Sequence, residues 1–274
     1  MNYLLKTTLI GLFFGTFGTT IGGIIGVSIK NTSNKFLSFI LSFASGLMLS
    51  IVCFDLVPES MEITSISNTI IGILLGVVCM IACDIAVAKL FRKKNDGVSA
   101  NNNLLKTGII VSIGLALHNL PEGLAIGSSF EASIKLGYSL ALAICLHDIP
   151  EGISMGVPMK NGGMKKSKVV FYVFMSGITT GIGAFLGTLI GGISDVVIAM
   201  CLAFAGGAML YIVSGELIPE SNELYKGRFP VVGNILGFIL GIFATMLWKN
   251  TLQKVNNILN KCLKYCWLSF FYNI

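Results

Sequence analysis

Eight runs of apolar residues, each long enough to cross a bilayer, leave this chain few ways to fold. They cover roughly 4–29, 35–57, 67–90, 106–129, 134–157, 168–191, 195–218 and 230–249, bounded by polar or charged punctuation. A helix needs about 20 mostly apolar residues to span the hydrocarbon core. Only helices and closed barrels satisfy their backbone groups in lipid, and the short alternating segments of a barrel are missing here. The expectation is an all-α, polytopic membrane protein with eight transmembrane helices. Composition agrees: 54% of residues are hydrophobic and 12% are charged, about half the charge of a soluble domain.

The net charge of +6 invites a nucleic-acid reading, but its distribution speaks against one. Lys and Arg cluster between apolar runs, notably from Lys89 to Lys94 and from Lys160 to Lys168. Placing the connections 30–34, 91–105, 158–167 and 219–229 on one side gathers 13 of the 19 basic residues there, span ends included. By the positive-inside rule that side is cytoplasmic. The chain is then a multi-pass protein of the cell membrane with both termini outside. The 7 Cys contain no C-x-x-C pair. Cys53, Cys79, Cys83, Cys145 and Cys201 lie in apolar stretches and read as small buried hydrophobes.

An internal repeat organises the runs. Phe43 to Ser60 reads FASGLMLSIVCFDLVPES and Phe204 to Ser221 reads FAGGAMLYIVSGELIPES, matching at 11 of 18 positions with an offset of 161. The same offset aligns Gly22 and Gly26 with Gly183 and Gly187, and Gly72, Leu75 and Gly76 with Gly233, Leu236 and Gly237. Spans 1–3, about 4–90, are therefore expected to recur as spans 6–8, about 168–249. Five crossings separate the copies, so they run in opposite directions, as in secondary transporters. Span 1 has a counterpart in span 6, which argues that it belongs to the fold and is not a cleaved leader. Residues 1–250 read as a single transport domain. In 251–274, Leu252, Val255, Leu259, Leu263 and Trp267 recur at helical spacing, as in an interfacial helix.

Spans 4 and 5, about 106–157, carry a second repeat. Leu117 to Gly123 is LHNLPEG and Leu146 to Gly152 is LHDIPEG. Each of the two His residues precedes a Glu by four positions, His118 before Glu122 and His147 before Glu151, which puts each pair on one helix face. Asn119 and Asp148 add oxygen donors on the adjoining face. Pro121 and Pro150 each leave the carbonyl four residues earlier without its helical partner, so those of Leu117 and Leu146 are expected to face a polar cavity. A carboxylate at mid-membrane costs about 2.5–3.5 kcal/mol on insertion scales. Glu122, Asp148 and Glu151 therefore need a cation, and the two spans hold no Arg and only terminal Lys106 and Lys135. A mobile divalent metal ion fills that role, since imidazole with carboxylate suits Zn²⁺, Fe²⁺ or Mn²⁺ better than K⁺ or Mg²⁺.

HNLPEG and HDIPEG resemble the fourth- and fifth-helix signatures of the ZIP (Zrt/Irt-like) divalent metal-ion transporter family, prokaryotic branch, and the similarity covers 4–249. The resemblance implies a primary metal site of His118, Glu122, His147 and Glu151. It implies an adjacent second site in which Asn119 and Asp148 share the two Glu. Met48 matches a position where relatives can place a thioether ligand, although the repeat puts Met209 at the equivalent place. Relatives often carry an acid in a Ser-Gly-x-x-Glu-Pro frame on span 6, where this chain has Ser176-Gly177-Ile178-Thr179-Thr180. One strong site and a weak or absent second one are therefore expected.

The resulting expectation is a secondary transporter, not an enzyme. Zinc is the foremost cargo, with iron, manganese, cobalt and cadmium tolerated, and no prosthetic group is needed. The acidic span ends, Asp55, Pro58 and Glu59 outside and Glu216, Pro219 and Glu220 inside, would collect and release ions. Metal must displace protons from imidazole, so uptake should weaken below about pH 6. A membrane metalloenzyme would use Glu122 or Glu151 as general base, but the H-E-x-x-H of membrane proteases is missing. A metal-gated channel would keep the site without alternating access. The partners are then metal ions and lipid, and Gly-rich faces leave room for a homodimer.

Overall fold

The computed structural model describes residues 2–29, 33–92 and 100–245, of which 88, 90–92 and 100–115 are described by backbone alone. The described residues form helices and no strand. These are α1 Tyr3–Ser28, α2 Asn34–Ile63, α3 Ile66–Arg92, α4 Ala100–Ala132, α5 Ile134–Asn161, α6 Lys166–Gly191, α7 Asp195–Leu224 and α8 Phe229–Thr245. Six of them, all but α4 and α8, contain described windows long and apolar enough to cross a membrane. The chain is a multi-pass membrane protein. Residues 251–274, with Cys262 and Cys266, lie outside the described residues, as do 93–99 of the loop 91–105.

Serines open three of the helices. Ser33, Ser133 and Ser194 take extended backbone, and each side chain accepts from the amide three residues on. That bond satisfies one of the four orphan donors of a helix start. The turn from α5 to α6 needs Gly163, whose φ of 88° few other residues adopt.

Two helix ends differ from the sequence expectation. Pro58 and Pro219 were expected to close spans 2 and 7, yet α2 runs on to Ile63 and α7 to Leu224. A π turn precedes each proline, at Val52–Leu56 and Val213–Leu217. Within it the Val57 amide bonds to the Val52 carbonyl, and that of Ile218 to Val213, five residues back. The wider turn accommodates a ring that has no N–H to offer, so the helix continues. π turns of this kind concentrate at functional sites.

Apolar burial gives little drive for helix association in lipid, so close packing of small residues must supply it. Gly22 on α1 meets α5 so closely that a Cβ would lie 2.2 Å from the Ile149 oxygen, and one on Gly183 of α6 would lie 2.2 Å from the Leu120 oxygen of α4. Gly46 on α2 meets Asn234 of α8 at 2.0 Å by the same measure, and Gly207 on α7 meets Ile73 of α3 at 2.1 Å. Such contacts seat α1 on α5, α6 on α4, α2 on α8 and α3 on α7. In the hydropathy-selected window of α5, 72% of residues are buried, against 17% for α3. So α5 runs through the middle, while α3 turns Leu74, Val78 and Ile85 outward.

Candidate metal site

Both central helices continue unbroken through their prolines, Pro121 in α4 and Pro150 in α5. Their polar faces meet in the interior. Asn119, Glu122, His147 and Asp148 are fully buried, with Glu151 and His118 nearly so. His147 Nε2 lies 2.9 Å from Glu122 Oε1 and 3.4 Å from Asp148 Oδ1. Glu122, His147, Asp148 and Glu151 each present a ligating atom within 4.8 Å of the others.

The structure brings these four together, and the other candidates each have contacts of their own. His118 Nε2 lies 3.3 Å from Glu216 Oε2 on α7. Asn119 donates from Nδ2 to the Ser176 carbonyl of α6 at 3.0 Å, leaving its Oδ1 without a hydrogen bond. Met48 is fully buried in the apolar core, and Met209 occupies the same core. Thr180 is also fully buried, against Gly15, where a Cβ would lie 2.4 Å from the Thr180 Cβ.

Unpartnered atoms define the site. Glu122 Oε2, His147 Nδ1, both Asp148 oxygens and both Glu151 oxygens are buried without a hydrogen bond. Buried polar atoms in proteins are nearly always hydrogen-bonded, so a concentration of exceptions needs a cause. No Lys or Arg pairs with Glu122, Asp148 or Glu151 among the described residues. At an effective dielectric constant of about 20, two like charges this close repel by roughly 3 kcal/mol. A dipositive ion turns that repulsion into attraction and satisfies the bare oxygens at once. Tetrahedral zinc with bonds of about 2.0–2.1 Å holds its donors roughly 3.4 Å apart. The group of four therefore closes on an ion through side-chain shifts of about an ångström. The donor set fits such a cargo.

Two contacts flanking the site were not read from the sequence. Tyr211 on α7 donates to Asp84 Oδ2 on α3 at 2.7 Å, and Thr245 on α8 donates to Asp55 Oδ2 on α2 at 3.0 Å. The 161-residue offset pairs Asp84 with Thr245, as it pairs Asp55 with Glu216, a register that could have flagged Asp84 and Thr245 but not Tyr211. The two acids end up differently. The Glu216 side chain is 37% exposed, while Asp55 is 2% exposed.

A family model described as ZIP zinc transporter matches residues 91–248. The zinc transporter ZupT of Chlorobium limicola is 33% identical over 247 aligned positions, covering 84% of this chain and 92% of that protein. ZupT of Chlorobium luteolum is 31% identical over 262 positions, covering 89% and 97%. The zinc transporter GufA of Myxococcus xanthus is 38% identical over 141 positions, a match spanning 51% of this chain and 56% of that protein.

Proposed function

The chain belongs to the ZIP zinc transporter family, and from that premise we propose that it carries divalent transition-metal ions, zinc foremost, across the cell membrane through the α4–α5 site. The observation that carries this reading is the group of four buried ligating side chains, with six of their oxygen and nitrogen atoms outside any hydrogen bond and no Lys or Arg paired with them among the described residues. Glu122, His147, Asp148 and Glu151 are the resting ligands. His118 stands one step along a route from that group to Glu216. Asn119, tied to Ser176, and Thr180, which has no charge, leave the second site too poor to hold another dication. Met48 serves as wall.

Duplicated packing supports alternating access. The contact of Gly76 with the Phe204 carbonyl recurs, 161 residues on in the glycine and reversed in the partner, as Gly237 against the Phe43 carbonyl. Such duplication supports the inverted 3+3 arrangement around α4 and α5, within one transport domain of residues 1–250, and two near-symmetric states come with it. With the basic connections on the cytoplasmic side, both termini lie outside, the exposed Glu216 faces inward and the enclosed Asp55 faces outward. Flux toward the cytoplasm is what the family resemblance implies. A membrane metalloenzyme is less well supported, because the relatives are named transporters and the H-E-x-x-H motif is missing.

Zinc titration and proteoliposome uptake with His147→Ala and His118→Ala test this reading. Wild type should bind one zinc per chain. His147→Ala should weaken binding by at least about 100-fold, the upper end of what losing an outer-shell partner costs. His118→Ala should cost less than about tenfold in affinity yet slow uptake by more than that, because a relay residue acts on passage rather than on equilibrium binding. Full binding and full uptake by His147→Ala would overturn the assignment.

A further inference from the structure

Cys79 and Cys83 lie one helical turn apart on α3, where side chains four residues apart share a face. Both are free thiols, Cys79 exposed and Cys83 half-buried. They continue the face of Gly72 and Gly76, which press on α7 at Ala203 and Phe204. The next residue, Asp84, accepts from Tyr211 of α7 at 2.7 Å. The Tyr211 ring in turn lies 3.9 Å from where a Cβ on Gly215 would stand, beside Glu216. The thiol pair therefore flanks the Glu216 end of the route described above.

Packing does not explain the pair. A structural Cys behaves as a small hydrophobe and is among the most buried residue types, as Cys145 and Cys201 are here. What the pair offers is two adjacent soft donors with no imidazole or carboxylate between them. Soft thiolates select soft, low-coordinate ions over the borderline divalent metals that a mixed oxygen and nitrogen set takes.

We propose that Cys79 and Cys83 form a dithiol site for soft thiophilic species of the monovalent-copper and trivalent-arsenical class, and that its occupation slows carriage of the normal cargo. The slowing rests on the transport reading above; the binding does not. With a trivalent arsenical as ligand, both S–H bonds break and two As–S bonds form. The oxo group leaves as water with the two thiol protons. Arsenic stays trivalent, so no oxidant or reductant is required.

Phenylarsine oxide serves as the probe on the purified full-length chain, with peptide mass mapping of the product. Zinc uptake is measured in parallel with wild type, Cys79→Ser, Cys83→Ser and the double variant. The expected product is one phenylarsenic group bridging Cys79 and Cys83, and mapping distinguishes it from a bridge between Cys262 and Cys266, which are also four residues apart. Wild-type uptake should fall about fivefold or more, the usual lower range of coupling between sites, while the double variant keeps its basal uptake and ignores the probe. A product without that bridge overturns the site. A bridge that leaves uptake unchanged, or equal inhibition of the double variant, overturns its effect on carriage. Absence of zinc uptake without any arsenical would instead count against the transport reading, with the mapping still deciding the dithiol.

Discussion

Glu122→Gln is expected to abolish zinc uptake while leaving the metal-free protein about as stable as wild type. Glu122 is fully buried, with one oxygen 2.9 Å from His147 Nε2 and the other without a hydrogen bond. Gln has nearly the same shape and keeps a carbonyl oxygen that can face the imidazole. What it removes is one of three clustered negative charges. In the metal-free state the loss costs little, since full charges on all three would repel by roughly 3 kcal/mol per pair at an effective dielectric constant of about 20. In the metal-bound state it deletes an anionic ligand, and affinity should fall by at least about 100-fold, beyond what perturbing an outer-shell partner costs. The two consequences differ, which makes the experiment decisive. Zinc at 100 times its Kd should stabilise wild type by about 2.7 kcal/mol, and this gain should vanish in the variant. A Glu122→Gln protein that melts earlier without metal, yet is still stabilised by zinc, would show the four side chains to be a hydrogen-bonded structural knot.

The paired His-x-x-x-Glu clusters were legible because a helix puts residues four apart on one face whatever surrounds it. Burial followed from the length of the apolar runs. That His118 also meets Glu216 was not legible, because it depends on how α7 seats against α4. Glu216 reaches His118 only where the π turn at Val213–Leu217 shifts the helical register, and no local propensity announces such a turn. The same turns misled the reading of Pro58 and Pro219 as helix ends. A proline in an otherwise apolar helix normally marks a boundary, and only the carbonyl five residues back shows why it does not here. The contact of Asp84 with Tyr211 was invisible for another reason. They are 127 residues apart, and only the packing of α3 on α7 brings them together. The glycines were legible as a pattern but not as contacts, since spacing does not say which neighbour presses on which face.

Those glycine contacts carry the other large expectation: Gly76→Ala and Gly237→Ala should each cost about 1–3 kcal/mol, the usual range for overpacking. The new methyl carbon would stand 2.1 Å from the Phe204 oxygen in one case and 2.0 Å from the Phe43 oxygen in the other. A clash with the far end of a flexible side chain could be relieved by a rotamer change. A backbone carbonyl inside a helix has no such freedom, so the two helices must move apart and the contacts on either side loosen with them. Gly206→Ala is the control, because a Cβ there would meet Val52 Cγ1 and Val57 Cγ2 at an ordinary 3.6 Å, and alanine is the better helix former. Thermal unfolding monitored by size-exclusion fluorescence should show apparent Tm falling by roughly 2–12 °C for the first two variants, with Gly206→Ala unchanged or raised. Equal losses at Gly76 and Gly237 are required if the copies related by 161 residues carry equivalent loads. A loss at one with none at the other would mean that duplicated sequence has not produced duplicated mechanics, and the symmetric two-state movement proposed for this carrier would lose its structural basis.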